Sequence, residues 1–407
     1  MISIIILSLR LITAAVRFLL IVYIEKEYSV SVLGEFSIYS SLITIGSVLI
    51  GMELHYVLSR SISKASYAAR ADLISSEFSL FFRLYLILLI ISFVISAYDL
   101  NNITFSLILI LIITEHISLE CLRAVQAAFM PIFSTIIIFS RSVGWYLILL
   151  IIDHYADTAK SINHIIVIWT INSFIVSLVV VWFLKKYGLL KIKRVKKLHK
   201  NFIKVLLYRS RPFYLTALIF SVSQYTDRFL LGIFYASEEV GKYFFVASLA
   251  SVLNLFVTYA VSVIWGPRVV KYFKILNKEE FRVIMKKLRF RYAKWMIFGF
   301  VCALISYFPF IKIINLETYN ELYFVYVILL FGNLIQITSD YFNMYLYAGQ
   351  RDWIMFRIVV KNALLNLLFM SILVPFYGVM GAAIGFLISQ TTFCMFRVKA
   401  VYNEELL

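Results

Sequence analysis

Twelve apolar runs, each close to the ~20 residues a helix needs to cross a bilayer, leave this chain little choice of fold. They lie at 2–24, 36–58, 80–98, 103–125, 131–152, 162–184, 212–235, 241–264, 293–314, 322–347, 354–376 and 378–397. With 62% of residues hydrophobic, 15% charged and a mean hydropathy of +0.90, the 407 residues lack the polar surface that a water-soluble core requires. The expected fold class is an all-α membrane protein of twelve transmembrane helices. The first run carries Arg10 and Arg17 and has neither a basic leader nor a small-residue cleavage site, so 2–24 is expected to remain as the first span.

A net charge of +17 would suit nucleic acid, but its placement follows membrane sidedness and no nucleic-acid partner is expected. Alternate connections on one side hold only Lys26 and Lys160 against ten acids, among them Glu25, Asp99, Asp157, Glu238 and Glu317, while most Lys and Arg fall on the other. The positive-inside rule makes the basic side cytoplasmic and places both termini there. The most basic stretch, Lys185 to Arg211, carries eleven Lys and Arg and no acid, and it separates the sixth run from the seventh. It divides the chain into an N-terminal six-helix half (1–184), a basic cytoplasmic linker (185–211) and a C-terminal six-helix half (212–407). A second basic segment, Arg268 to Lys294, reads as an amphipathic surface helix with Phe273, Leu276, Phe281, Ile284 and Leu288 on its apolar side. Both segments serve first as topology signals and second as docks for anionic lipid headgroups.

The two halves echo each other. Ser31-Val-Leu-Gly34-Glu-Phe36 aligns with Glu238-Glu-Val-Gly241-Lys-Tyr243, and Ala124-Val-Gln126 with Ala348-Gly-Gln350. Because six spans return the chain to its starting side, the halves are parallel repeats, an architecture that lets one half rock against the other. Gly34, Gly241 and Gly378 are expected to turn the chain at the membrane surface, with Pro375 ending the eleventh span.

Ionisable residues inside spans are costly and mark pathways or buried pairs. Seven interior cations, Arg10, Arg17, Arg123, Arg141, Arg228, Arg357 and Lys361, face five acids, Glu53, Glu115, Glu120, Asp227 and Asp340. The excess favours an anionic passenger. Depth suggests that Arg10 pairs with Glu53, Arg141 with Glu115 or Glu120, Glu120 with Arg123, and Asp340 with Lys361. Arg357 has no acid of its own. Asn333, Gln336, Asp340 and Asn343 form a polar stripe along the tenth span, suited to lining a hydrated cavity or to interhelical hydrogen bonds. No Gly-rich phosphate loop, metal spacing or Ser/His/Asp arrangement is present, and the external connections are short, which argues against an enzyme and, in particular, a polysaccharide polymerase. Cys121, Cys302 and Cys394 have no metal or disulfide spacing.

The run Gln224-Tyr-Thr-Asp227-Arg228-Phe-Leu-Leu-Gly232 continuing to Val240-Gly241-Lys-Tyr243 closely resembles the polysaccharide exporters of the multidrug/oligosaccharidyl-lipid/polysaccharide (MOP) superfamily, the Wzx-type O-antigen flippases. Asn366 to Gly385, with Pro375, Gly378 and Gly381, resembles the same family's joint between its last two spans. The resemblance implies a MATE/MOP-like fold in the bacterial inner membrane and a flippase for undecaprenyl-pyrophosphate-linked oligosaccharide. It implies partners in membrane lipids and other polysaccharide-assembly proteins, no cofactor, and a proton or sodium gradient as the coupling source. Arg10, Arg17, Arg141 and Arg357 are the expected headgroup contacts, and Glu53, Asp227, Arg228, Asp340 and Lys361 the expected gate or coupling groups. A cation-coupled multidrug exporter of the same superfamily is the alternative, though its carboxylate-rich cavity fits the cationic excess poorly.

Overall fold

Apolar runs without internal helix breakers fold as expected in the computed structural model, which describes residues 2–62, 66–98, 103–127, 130–155, 160–190, 200–275 and 278–404. Helices α1 (Ile2–Glu27), α2 (Val30–Gly51), α3 (Leu54–Ile62), α4 (Tyr67–Tyr98), α5 (Ile103–Ala127), α6 (Pro131–Tyr155) and α7 (Ile162–Lys186) come first. After them come α8 (Lys200–Gln224), α9 (Thr226–Phe234), α10 (Ser237–Val257), α11 (Val263–Ile275), α12 (Lys278–Ile313), α13 (Tyr323–Ala348) and α14 (Asp352–Asn403). Among the described residues nine helices are long and apolar enough to cross a membrane. Adding α1, the α8–α9 pair and the second arm of α14 gives the expected twelve, and the chain is a multi-pass membrane protein.

Several boundaries depart from the hydropathy reading. The second span starts earlier and breaks at Met52 and Glu53, whose φ angles of 45° and 49° are left-handed, so α3 begins a new direction. The third begins at Tyr67 and takes in Glu77, which the sequence placed in a loop. The expected surface helix over 268–294 is two elements: α11 extends the eighth span and α12 opens the ninth, with Phe273 and Phe281 packed edge-to-face at 5.2 Å between them. Leu276, Asp99, Asp157 and linker positions 191–199 lie outside the described residues.

The chain forms two compact units. The first comprises Met1–Tyr23 and Tyr39–Ser221, the second Ile24–Ile38 and Val222–Leu407. In the first, α5 is the central helix, packed by α4, α6 and α7 around Leu54, Phe81, Ile113, Cys121, Val125 and Leu184. Small hydroxyl residues bring these helices close: Ser92 and Ser106 exchange hydroxyl-to-carbonyl hydrogen bonds at 3.3 and 3.2 Å, and Ser177 donates to the Thr114 carbonyl at 2.9 Å. The outer face of α4 exposes Phe82, Ile87, Ile90 and Phe93, as a lipid-facing helix should.

In the second unit α13 packs along α14. The latter is two arms folded back at Gly378, whose φ of 52° and ψ of −128° only glycine adopts readily. The arms run antiparallel, since Gly385 meets Met370, while Asn362 donates to Ser389 and accepts from Thr392 at 3.3 and 2.9 Å. Pro375 does not itself end the first arm, which runs on to Tyr377 and breaks at Gly378; its carbonyl accepts the Tyr235 hydroxyl at 3.0 Å.

The repeat glycines have a different task from the one expected. Gly34 and Gly241 sit within α2 and α10, not in turns. A Cβ on Gly34 would overlap the Ser237 carbonyl oxygen, and one on Gly241 the Val30 carbonyl oxygen. Ser31 and Ser237 share a 2.5 Å hydrogen bond beside them. The two aligned segments therefore pack against each other, reciprocally, at a backbone separation that only glycine permits.

Candidate functional site

Interior acids need partners, and each of the five found in the sequence has one. On α5, Glu115 accepts Arg141 Nε at 2.6 Å, Trp169 Nε1 at 2.8 Å and the Ser173 hydroxyl at 3.0 Å. This confirms the depth argument for Arg141 and resolves it toward Glu115. One turn on, Glu120 accepts Arg123 at 2.5 Å, and the same guanidinium reaches Glu53 at 3.5 Å. Glu53 also meets His55 at 3.3 Å. Fully buried His116 lies 3.5 Å from Glu120 and takes a 2.6 Å hydrogen bond with Tyr85 on its other nitrogen. Glu77 is buried on α4 and adds a third carboxyl to this group.

The pairing of Arg10 with Glu53 does not form. Arg123 occupies Glu53 because both stand at the same end of α5 and the α2–α3 break. Arg10 Nε is buried with no hydrogen-bond partner among the described residues, and Arg17, two turns along α1, is exposed.

In the second unit Asp227 is buried at the start of α9, where it accepts the Tyr243 hydroxyl and the Arg228 backbone N–H, both at 2.8 Å. Arg228 points elsewhere, its guanidinium 5.0 Å from the Tyr225 ring centre and 4.6 Å from that of Phe244. Asp-Arg and Val-Gly-x-Tyr are thus one packing motif: aspartate holds tyrosine, arginine lies over aromatic rings, and glycine admits α2. Asp340 does not meet Lys361. It pairs with Arg397 at 2.8 Å, which also donates to Ser339 at 2.9 Å. Depth along a helix matched Asp340 to Lys361, but the azimuth favours the second arm of α14. Arg397 ends the last apolar run, where hydropathy does not mark it as an interior cation. The polar stripe on α13 is partly spent within its own helix, where Asn333 donates to the Leu329 carbonyl at 2.8 Å.

Arg357 and Lys361 stand one turn apart on the first arm of α14. Both are exposed, and neither makes an ion pair or hydrogen bond among the described residues. No group of three or more His, Cys, Asp or Glu suited to a metal is found among those residues. Chemically, the second unit presents an uncompensated bidentate donor beside an ammonium, a combination suited to phosphate oxygens.

No protein-family model and no curated protein matches the sequence. Solved structures do match along nearly the whole length. The inward closed conformation of the lipid II flippase MurJ superposes with a TM-score of 0.75 at 14% identity, over 98% of this chain and 87% of that one. An inward-facing multidrug resistance MATE family transporter of the MOP superfamily gives 0.72 at 12% identity, covering 98% and 94%. A MOP superfamily transporter from Pyrococcus furiosus, described as having a binding pocket of reversed polarity, gives 0.65 at 12% identity, over 98% and 93%. The chain thus has the fold shared by the MurJ lipid flippase and the MATE transporters.

Proposed function

We propose that this protein is a flippase that carries undecaprenyl-pyrophosphate-linked oligosaccharide from the cytoplasmic to the periplasmic leaflet of a bacterial inner membrane. Translocation proceeds by alternating access, with both termini cytoplasmic and an ion gradient as the driving force. The observation that carries the reading is the imbalance of interior charge: Glu53, Glu115, Glu120, Asp227 and Asp340 are all engaged, while Arg357 and Lys361 are exposed and unmatched among the described residues. A pyrophosphate headgroup supplies the missing anions, and its prenyl tail remains in lipid. Arg10 and Arg17 are the corresponding contacts from α1. Arg141 reaches a headgroup only by leaving Glu115. Glu53 in the first unit, and Asp227, Arg228, Asp340 and Lys361 in the second, are the gate or coupling groups of this reading.

The reading is tested in cells by replacing both Arg357 and Lys361 with Gln and assaying the leaflet in which lipid-linked oligosaccharide resides. A stably inserted double variant should accumulate the intermediate on the cytoplasmic face and lose surface polysaccharide. Normal export by that variant overturns the cationic-site mechanism. Export of a cationic drug in place of the glycan intermediate would assign the chain to the multidrug class.

A further inference from the structure

One cationic cluster lies outside the residues given to translocation. Trp265 on α11 collects two guanidinium groups, Arg268 from the next turn of its own helix at 5.2 Å from the ring centre and Arg291 from α12 at 4.4 Å. Both arginines are exposed, and neither has a carboxylate or hydrogen-bond partner among the described residues. Two positive charges within 5.2 Å of one ring repel each other, and ring contact leaves their N–H edges unsatisfied. Lys287 and Lys294, one turn either side of Arg291, share its face of α12. The acids of this helix, Glu279 and Glu280, stand about 17–18 Å before Arg291 along the axis. Position 266 opens onto free space, with nothing within 4 Å of a Cβ there.

Depth identifies the anion. With 36 residues α12 is about 54 Å long, well beyond the ~30 Å hydrocarbon core. Beyond its last cation before the span, Lys294, its continuous exposed apolar face runs from Ile297 through Phe298, Val301, Ile305 and Phe308. Lys294 precedes that face by three residues, about 4.5 Å, within the headgroup layer, and Arg291 by six, about 9 Å, at its outer edge, from where a long arginine side chain reaches back to the phosphates. Phe290, 75% exposed beside Arg291, offers an apolar anchor at the same level.

We propose that Trp265, Arg268 and Arg291 form a binding site for the phosphate of an anionic phospholipid on the basic side of the membrane, fixing the α11–α12 joint to the bilayer. The guanidinium forks take the phosphate oxygens while the indole supports both arginines from beneath and occupies the interface. This is an annular lipid contact that needs no passenger, so it stands or falls independently of the flippase reading.

The test uses the full-length protein reconstituted in equimolar phosphatidylglycerol and phosphatidylcholine vesicles, then extracted and weighed intact by native mass spectrometry to count retained lipids. Wild-type protein should retain phosphatidylglycerol in preference to phosphatidylcholine. Retention should fall roughly fivefold for each arginine changed to Gln, on the order of 25-fold for R268Q with R291Q. Lysine at both positions should recover only part of it, because an ammonium cannot both stack and fork. The control pair R83Q and K399Q removes two exposed charges from α4 and α14, outside both basic segments, and should leave retention unchanged. Equal losses in the two double variants mean non-specific attraction and overturn the site, as does undiminished retention in R268Q/R291Q. Displacement of the lipid by inorganic phosphate alone overturns it too, by revealing a free-anion site.

Discussion

The two compact units treat interior charge in opposite ways. In the first, charges are linked: Tyr85, His116, Glu120, Arg123, Glu53 and His55 form a chain, and Arg141, Glu115, Trp169 and Ser173 form another one turn away. In the second they are isolated, with Asp227 held by Tyr243, Asp340 by Arg397, and Arg357 and Lys361 by nothing among the described residues. A linked network distributes the desolvation of each group over several hydrogen bonds and fixes helix azimuth. Isolated cations fix nothing and are available to a ligand. The difference lies in how the acids are held and not in the count, since each unit has one more interior cation than acids: those of the first unit share Arg123 and Arg141 in networks, and those of the second each have their own donor.

The comparison breaks most readily at Glu115. Arg141→Ala should leave its carboxylate buried with only neutral donors and cost about 3 kcal/mol, near the lower bound for an orphaned buried charge because Arg141 keeps some solvent contact. Thermal unfolding in detergent measures it. Arg141→Ala combined with Glu115→Gln should recover most of the loss, and if it does not, the pair is not the unit of stability.

A similar loss, about 2 kcal/mol, is expected for Gly241→Ala, since the new methyl would overlap the Val30 carbonyl and force α2 away from α10. Gly34→Ala should match it, given the reciprocal contact with Ser237. If only one of the two destabilises, the repeat packing is not reciprocal. Ala at position 266, where space is open, should be tolerated or mildly stabilising and serves as the reference.

These contrasts show what the sequence could and could not display. Hydropathy located the spans because apolar length alone decides membrane crossing. It missed the break at Met52–Glu53, where non-glycine residues hold left-handed φ angles, and the one at Tyr225 between α8 and α9. It also placed Glu77 in a loop, since Arg70, Asp72 and Arg83 around it dilute the apolar signal. Depth found the Arg141–Glu115 pair but mismatched Asp340, because depth carries no azimuth and Arg397 sat at a run's end. The repeat glycines were visible as a pattern, yet a glycine in a turn and a glycine in a close crossing look alike in sequence.

Within the second unit Asp227 offers a finer cut. Tyr243→Phe removes one hydrogen bond to a buried carboxylate and should cost about 1–2 kcal/mol, while Asp227→Asn, which keeps an acceptor, should cost less. If either variant keeps its fold but loses export, Asp227 acts in gating as well as in packing.

The smallest expected effect on folding separates the units most sharply. Arg357→Gln removes a charge that has no partner among the described residues, so no network collapses and no group is orphaned. Its stability should stay within about 0.5 kcal/mol of wild type, or rise slightly, as at sites where function is maintained at the expense of stability. Export should nevertheless fall, and Arg357→Lys should restore only part of it, because one ammonium replaces a planar fork. Unchanged stability with lost export places Arg357 in contact with the passenger. A loss near that of Arg141→Ala would instead show that Arg357 belongs to a structural pair, and the distinction between a linked first unit and an open second unit would fail.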